Sequence, residues 1–187
     1  ATLRDIQSRR GQILKHDRVP EVLEELAVAK YGRITNAGDL LFAQQPELRN
    51  PQIRIRAACF SSDKADETYR DQKSFQGPVG QILEETYAFV LRNTATQSTF
   101  SAARLRREDS PIYPAQAVRE ALVNALAHRD YSSPSGGILV TIFPGRLEIW
   151  NSGGLLDGVT VETLQKGQLS VLRNPDIAHV LYLRGLM

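Results

Sequence analysis

With 187 residues, 42% of them hydrophobic and 24% charged, the chain has material for one generous domain or two small ones around a sizeable core. A net charge of +2 excludes the overall basic footprint of a nucleic-acid-binding domain, so any such contact has to come from a local patch. The single cysteine, Cys59, excludes an internal disulfide and a cysteine-built metal site, and it fits a reducing, cytoplasmic setting. No apolar run approaches the ~20 residues of a membrane helix, and no secretory signal opens the chain, so no membrane partner is expected. The start at Ala1 and the stop at Met187, with no clear finishing element, read as a fragment of a longer protein.

The first segment, from Ala1 to about Gln45, reads as helical. Val22, Leu23, Leu26 and Ala27 share one helical face. Pro20 sits near its start, where a missing N–H costs nothing. Tyr31-Gly32-Arg33 stops it, and Thr35 or Asn36 can cap a short helix through Leu40, Leu41 and Phe42. Helix, turn and helix is the grammar of a winged-helix unit and equally that of a helical connector. Gln52 to Phe60 is a strand, with Ile53 and Ile55 facing in and Arg54 and Arg56 facing out. Ser61 to Gln76 is polar without a period and reads as a loop. Gly77-Pro78 opens a helix whose face carries Val79, Ile82, Leu83, Thr86 and Val90. The small polar stretch Ala95 to Ser98 reads as a link between two units, 1–98 and 99–187.

Thr99 to Arg107 then reads as a strand with basic residues on one side. Pro111 and Pro114 bracket a turn into a helix from Ala115 to His128. Gly136 to Phe143 puts Ile138, Val140 and Ile142 on one face and Leu139, Thr141 and Phe143 on the other. Pro144-Gly145 turns the chain, and Leu147 to Trp150 returns as the second strand of a hairpin. Leu155 to Leu172 is glycine-punctuated and carries few structural signals. Asn174 and Pro175 then stand as N-cap and first position of a closing helix.

The helix from Ala115 to His128 bears the chemistry. Val118, Leu122 and Ala125 form its packing face, while Glu120, Asn124 and His128, four apart, stack along another. An amide oxygen suits a hard cation, and a carboxylate one turn away can orient or deprotonate a water. Polar helix faces are the norm, and on spacing alone a solvated face is the commoner meaning of such a row. About twenty residues further on, the hairpin empties into Asn151-Ser152-Gly153-Gly154, whose glycines let a ligand approach the backbone. By itself that stretch reads equally as a plain turn.

Taken together, R-E-A-L-V-N-A-L-A-H-R-D-Y (Arg119 to Tyr131) resembles the N-box of the GHKL (Bergerat-fold) ATPases, and L-E-I-W-N-S-G-G-L (Leu147 to Leu155) resembles their first glycine box. The longer strings Y-P-A-Q-A-V-R-E-A-L-V-N-A-L-A-H-R-D-Y, I-F-P-G-R-L-E-I-W-N-S-G-G-L and R-N-P-D-I-A are similar to the C-terminal region of RecG-related transcriptional regulators, a group often labelled ATP-dependent DNA helicase-related. Upstream, G-R-I-T-N-A-G-D-L-L-F and D-Q-K-S-F-Q-G-P-V-G-Q-I-L extend the resemblance, which runs from about Tyr31 to the end.

The resemblance implies an α/β fold of Bergerat type, a mixed and largely antiparallel sheet layered with helices. It implies ATP and Mg2+ as cofactors. Glu120 takes the place of the general base, Asn124 that of the magnesium-binding amide, and Asn151 that of the aspartate that accepts from the adenine amino group. Gly153 matches the first glycine of the box, Gly154 shares its open backbone, and His128 joins the nucleotide-binding set. Asn151 departs from the aspartate of the pattern and Leu155 from its second glycine, and the later glycine-rich box is not visible. Walker A and helicase motifs are absent, so helicase activity is not implied.

Two functions follow. The first is an ATP-binding regulatory module with slow Mg-dependent hydrolysis. The second is a degenerate nucleotide-binding scaffold, kept for dimerisation or DNA association in a transcription regulator. In relatives a Schlafen/AlbA-like domain precedes this region, so DNA is expected to bind through an upstream domain absent from this chain. A homodimer is an expected assembly.

Overall fold

A four-stranded sheet in the order β4-β3-β7-β8 organises the protein. The computed structural model describes residues 6, 18–64, 68–100, 107–134, 136–167 and 171–187. Strand β3 (Ile55–Phe60) pairs antiparallel with β4 (Tyr69–Phe75) and parallel with β7 (Ile138–Ile142), and β7 pairs antiparallel with β8 (Leu147–Trp150). The architecture is therefore mixed α/β. Strands from before and after position 98 join in one sheet, through the parallel register Ile55↔Ile138 to Cys59↔Ile142.

Helices α3 (Val79–Asn93), α4 (Ala115–Ala127) and α6 (Pro175–Leu183) build the layer beside the sheet. Ile82, Leu83, Phe89 and Val90 of α3 and Val118, Leu122 and Leu126 of α4 are buried in one cluster with Ile55, Ala57, Ile138 and Val140 of the sheet. Alternation decides which strand residues take part, since successive side chains point to opposite faces. In β7, Ile138, Val140 and Ile142 point into the cluster while Leu139 is partly exposed.

The N-terminal part departs from the helical expectation. A short helix α1 (Val19–Glu25) leads into a small hairpin, β1 (Ala29–Lys30) and β2 (Arg33–Ile34), before α2 (Asn36–Phe42). The Lys30↔Arg33 pair closes on Tyr31-Gly32, both at positive φ (53° and 70°), as a two-residue hairpin turn requires. Thr35 caps α2 as expected, accepting the Gly38 N–H at 3.1 Å. A 3-10 turn, Pro51–Ile53, replaces the start of the expected strand, although Ile53 is still buried and Arg54 still exposed.

One further expectation needs correcting. Ser61 to Gln76 is not all loop, because β4 occupies its second half. The strand escapes a hydrophobic pattern because the side chains it turns toward α3 are charged and partnered. Asp71 meets Arg92 at 2.9 Å and Asn93 at 2.7 Å, and Lys73 meets Glu85 at 3.5 Å. Inward charges of this kind are common on edge strands, which they protect from pairing with another chain. Within the small polar stretch Ala95 to Ser98 begins β5 (Thr96–Phe100), which pairs with β6 (Arg107–Pro111). Of the strand expected over Thr99 to Arg107, residues 101–106 lie outside the described residues. Among the described residues no helix is long and apolar enough to cross a membrane.

Candidate functional site

Helix α4 starts after Pro114, whose extended backbone cannot continue a helix backwards, and it ends at His128, whose N–H reaches the Asn124 carbonyl at 2.9 Å. Its apolar side is taken by the core. Glu120 and Asn124 are exposed on another side and His128 is half-buried. These three line a cleft of about 680 Å3 together with the exit of β8, at Asn151, Gly153 and Gly154. All six residues singled out from the sequence thus line one cleft.

The cleft also has residues that the polar motifs did not reveal. Leu155, Leu156, Val159, Leu164 and Val171 give it an apolar wall, and Arg173 gives it a cation. The available signal was apolar residues scattered through a glycine-punctuated stretch. They sit there at high exposure, 54% for Leu155 and 46% for Leu164, because the cleft rather than the core receives them. A short helix in this stretch, α5 (Val161–Gln165), is set by a capping box between Thr160 and Thr163.

The Asn151 turn is firmly held. The Ser152 carbonyl accepts the Asp130 N–H at 3.1 Å. Gly153 has φ +117°, and a Cβ there would stand 3.2 Å from the Asp130 Cβ, so both backbone and space call for glycine. Within this turn the Asn151 Oδ1 is buried and has no hydrogen-bond partner among the described residues. A buried acceptor without a partner costs ~1–3 kcal/mol, which a ligand donor would recover.

Behind the turn, Arg129 is wholly buried. Its guanidinium donates to the Asp130 carbonyl at 2.7 Å and to the Gly136 carbonyl, and it lies 5.3 Å from the Tyr131 ring centre. Burial lowers its pKa and pushes the Tyr131 phenol up. The Ser132 hydroxyl, donating at 2.6 Å, is the main group holding the Asp130 carboxyl below its ordinary range.

Two consecutive residues at the start of α6 tie the walls together. Arg173 donates to the Gly154 carbonyl at 2.7 Å. Asn174, in the N-cap position, does not cap its own helix with its side chain. It donates instead to the Ala127 carbonyl at 2.9 Å and the Arg129 carbonyl at 2.7 Å, satisfying the open end of α4. Replacing Asn174 by Ala is expected to cost ~1–3 kcal/mol of stability, because the Arg129 carbonyl loses its partner in a half-buried place and the Ala127 carbonyl keeps only the backbone N–H of residue 174. Urea denaturation measures this, and an unchanged midpoint would contradict the bracing role.

Among the described residues no group of three or more His, Cys, Asp or Glu side chains could hold a metal ion by itself.

The fold has a counterpart among solved structures. The crystal structure of the DIP2311 protein from Corynebacterium diphtheriae superposes over 100% of this chain with a TM-score of 0.76 at 19% identity, and the chain spans 36% of that protein's length. No functionally curated protein matches. Residues 136–187, which carry the β7–β8 hairpin, the glycine turn and α6, match the family described as "Putative ATP-dependent DNA helicase recG C-terminal", so over this stretch the chain is similar to the ATPase-like C-terminal domain of RecG-related proteins.

Proposed function

We propose that the cleft binds ATP together with Mg2+, as a regulatory module of a RecG-related transcription regulator, and that it hydrolyses the nucleotide slowly. The observation that carries this reading is the buried, partnerless Oδ1 of Asn151, a residue that lines the same cleft as Glu120 and Asn124. The exocyclic amine of adenine is a donor suited to that acceptor. The bare backbone at Gly153 and Gly154 lets a flat base come close, and Leu155, Leu156 and Val159 give it an apolar surface.

Magnesium fits the residues present. It keeps several waters and takes one or two protein oxygens plus phosphate oxygens, so the Asn124 amide oxygen meets its needs without a carboxylate cluster. When bound, the ion neutralises charge on the phosphates. Glu120, one turn from Asn124 and open to the cleft, takes the proton from an attacking water. His128 lies at the end of the same row and offers a ring N–H to the nucleotide.

Calorimetric titration of two variants tests the assignment. Asn151→Asp is expected to tighten ATP binding several-fold, because a charged acceptor makes the stronger hydrogen bond. Asn124→Ala is expected to weaken Mg-dependent binding by about tenfold and to leave Mg-independent binding unchanged. If both variants bind like the parent protein, these side chains are scaffold. One observation favours that second reading: Leu155 lines the cleft where the family pattern has its second glycine, narrowing the approach. A protein that fails to bind ATP at all would be a degenerate domain serving dimerisation or DNA association.

A further inference from the structure

The helices cover one face of the sheet. On the other face, among the described residues, the register sets Ser74, Arg56, Leu139 and Trp150 in a single row across the four strands. All four are exposed, Trp150 to 62%. Arg54 stands two residues before Arg56 on the same side. Neither arginine has an acidic partner among the described residues, whereas Glu148, the carboxylate of this face, is held by Arg146 at 2.6 Å. Arg54, Arg56, Gly136 and Gly137 line a hollow of about 260 Å3, and Arg56, Ser74, Leu139 and Tyr69 line an adjoining one of about 500 Å3. Among the described residues this is a local basic patch of the kind through which a chain of low net charge can still meet a polyanion.

The order of groups in the row identifies the polyanion. Neighbouring strands lie ~4.8 Å apart, so Arg56 and Trp150 stand roughly 10 Å from each other with Leu139 between them. A nucleotide has the same order: phosphate, sugar, base. An unpartnered guanidinium pairs with a phosphate, and an exposed indole stacks a base whatever its identity. That base must be unpaired, which excludes a duplex. The sugar then lies on Leu139, where a 2′-hydroxyl would lose water without gaining a partner, so deoxyribose is favoured over ribose.

We propose that this open sheet face binds single-stranded DNA, with Trp150 stacking a base and Arg56 and Arg54 holding the flanking phosphates. The site is separate from the ATP cleft, which Trp150 does not line. It goes beyond the nucleotide-binding reading and does not depend on it.

Trp150 is the chain's one tryptophan, so its fluorescence reports the site directly. Titration with a dT oligonucleotide of about 12 residues is expected to quench it saturably at low salt, whereas a duplex of the same length does not. In anisotropy with dye-labelled oligo(dT), Trp150→Ala is expected to weaken binding about tenfold, and Trp150→Phe to retain most of it. Arg56→Gln is expected to lower the slope of log affinity against log salt by ~0.7, the value for one phosphate contact on a single strand. Trp150 and Arg56 are exposed, and unchanged circular dichroism of the variants excludes misfolding as the cause. Absence of saturable quenching overturns the proposal, as does a Trp150→Ala variant that binds like the parent. Equal quenching by oligo(U) overturns the assignment to DNA. A tryptophan signal that changes with protein concentration and not with oligonucleotide overturns it in favour of a second copy of the chain covering the face.

Discussion

Glu120→Ala is expected to lower ATP turnover by about 10²–10⁴-fold while leaving ATP affinity within about twofold of the parent protein. The reasoning rests on where the side chain stands. Glu120 is exposed in the cleft, on the α4 row that also carries Asn124, and it takes no part in the core. On the proposed assignment its loss removes the group that acts on water and leaves the fold and the other cleft side chains in place. Phosphate release and calorimetry, measured on the same preparations, separate the two effects. Turnover that survives the substitution would remove Glu120 as the base. Affinity that falls in parallel with turnover would make it a binding group instead.

Arg129→Ala is expected to give the largest loss of stability of any single change near the site, ~3–5 kcal/mol. Arg129 is wholly buried, donates to the carbonyls of Asp130 and Gly136, and packs on Tyr131. Truncation leaves the Gly136 carbonyl without its donor, leaves the Asp130 carbonyl only the Ser133 N–H at 3.4 Å, and opens a cavity where the guanidinium stood. For a chain of this length the melting temperature is expected to drop by roughly 6–20 °C. The Asp130 and Ser152 pairing that holds the Asn151 turn adjoins this side chain, so ATP affinity is expected to fall as well. A melting temperature within about 2 °C of the parent's would contradict the bracing role, because surface-like substitutions stay in that range.

What the sequence disclosed follows from the range over which each signal acts. Helix α4 and the β7–β8 hairpin were legible because their periodicity is local. Val118, Leu122 and Ala125 repeat at helical spacing, and Ile138, Val140 and Ile142 alternate. Strand β4 was not legible, because Asp71 and Lys73 stand on the side that faces α3 and find their partners one to two dozen residues further on, outside the range of a strand pattern. The parallel β3–β7 pairing joins segments some eighty residues apart and leaves no local trace, although it sets the sheet order. The same distinction holds at the site. Glu120, Asn124, His128, Asn151, Gly153 and Gly154 stood out as polar or glycine residues in recognisable strings, and all line the cleft. Arg173 and the leucine and valine wall did not, since an exposed apolar residue in a loop has no meaning until a cavity is seen beside it. Asn174 does stand at the start of α6, but its side chain serves the end of helix α4, a tertiary contact that capping statistics do not contain.

The most direct measurement is a calorimetric titration of the protein with ATP, performed with and without Mg2+ and repeated with GTP. The expected result is saturable binding of ATP that strengthens with Mg2+, together with clearly weaker binding of GTP. The Asn151 acceptor favours the adenine amine, whereas guanine presents a carbonyl oxygen at the corresponding position and leaves the acceptor unsatisfied. No heat of binding for either nucleotide, or equal affinity for both, would contradict the assignment of this cleft to ATP.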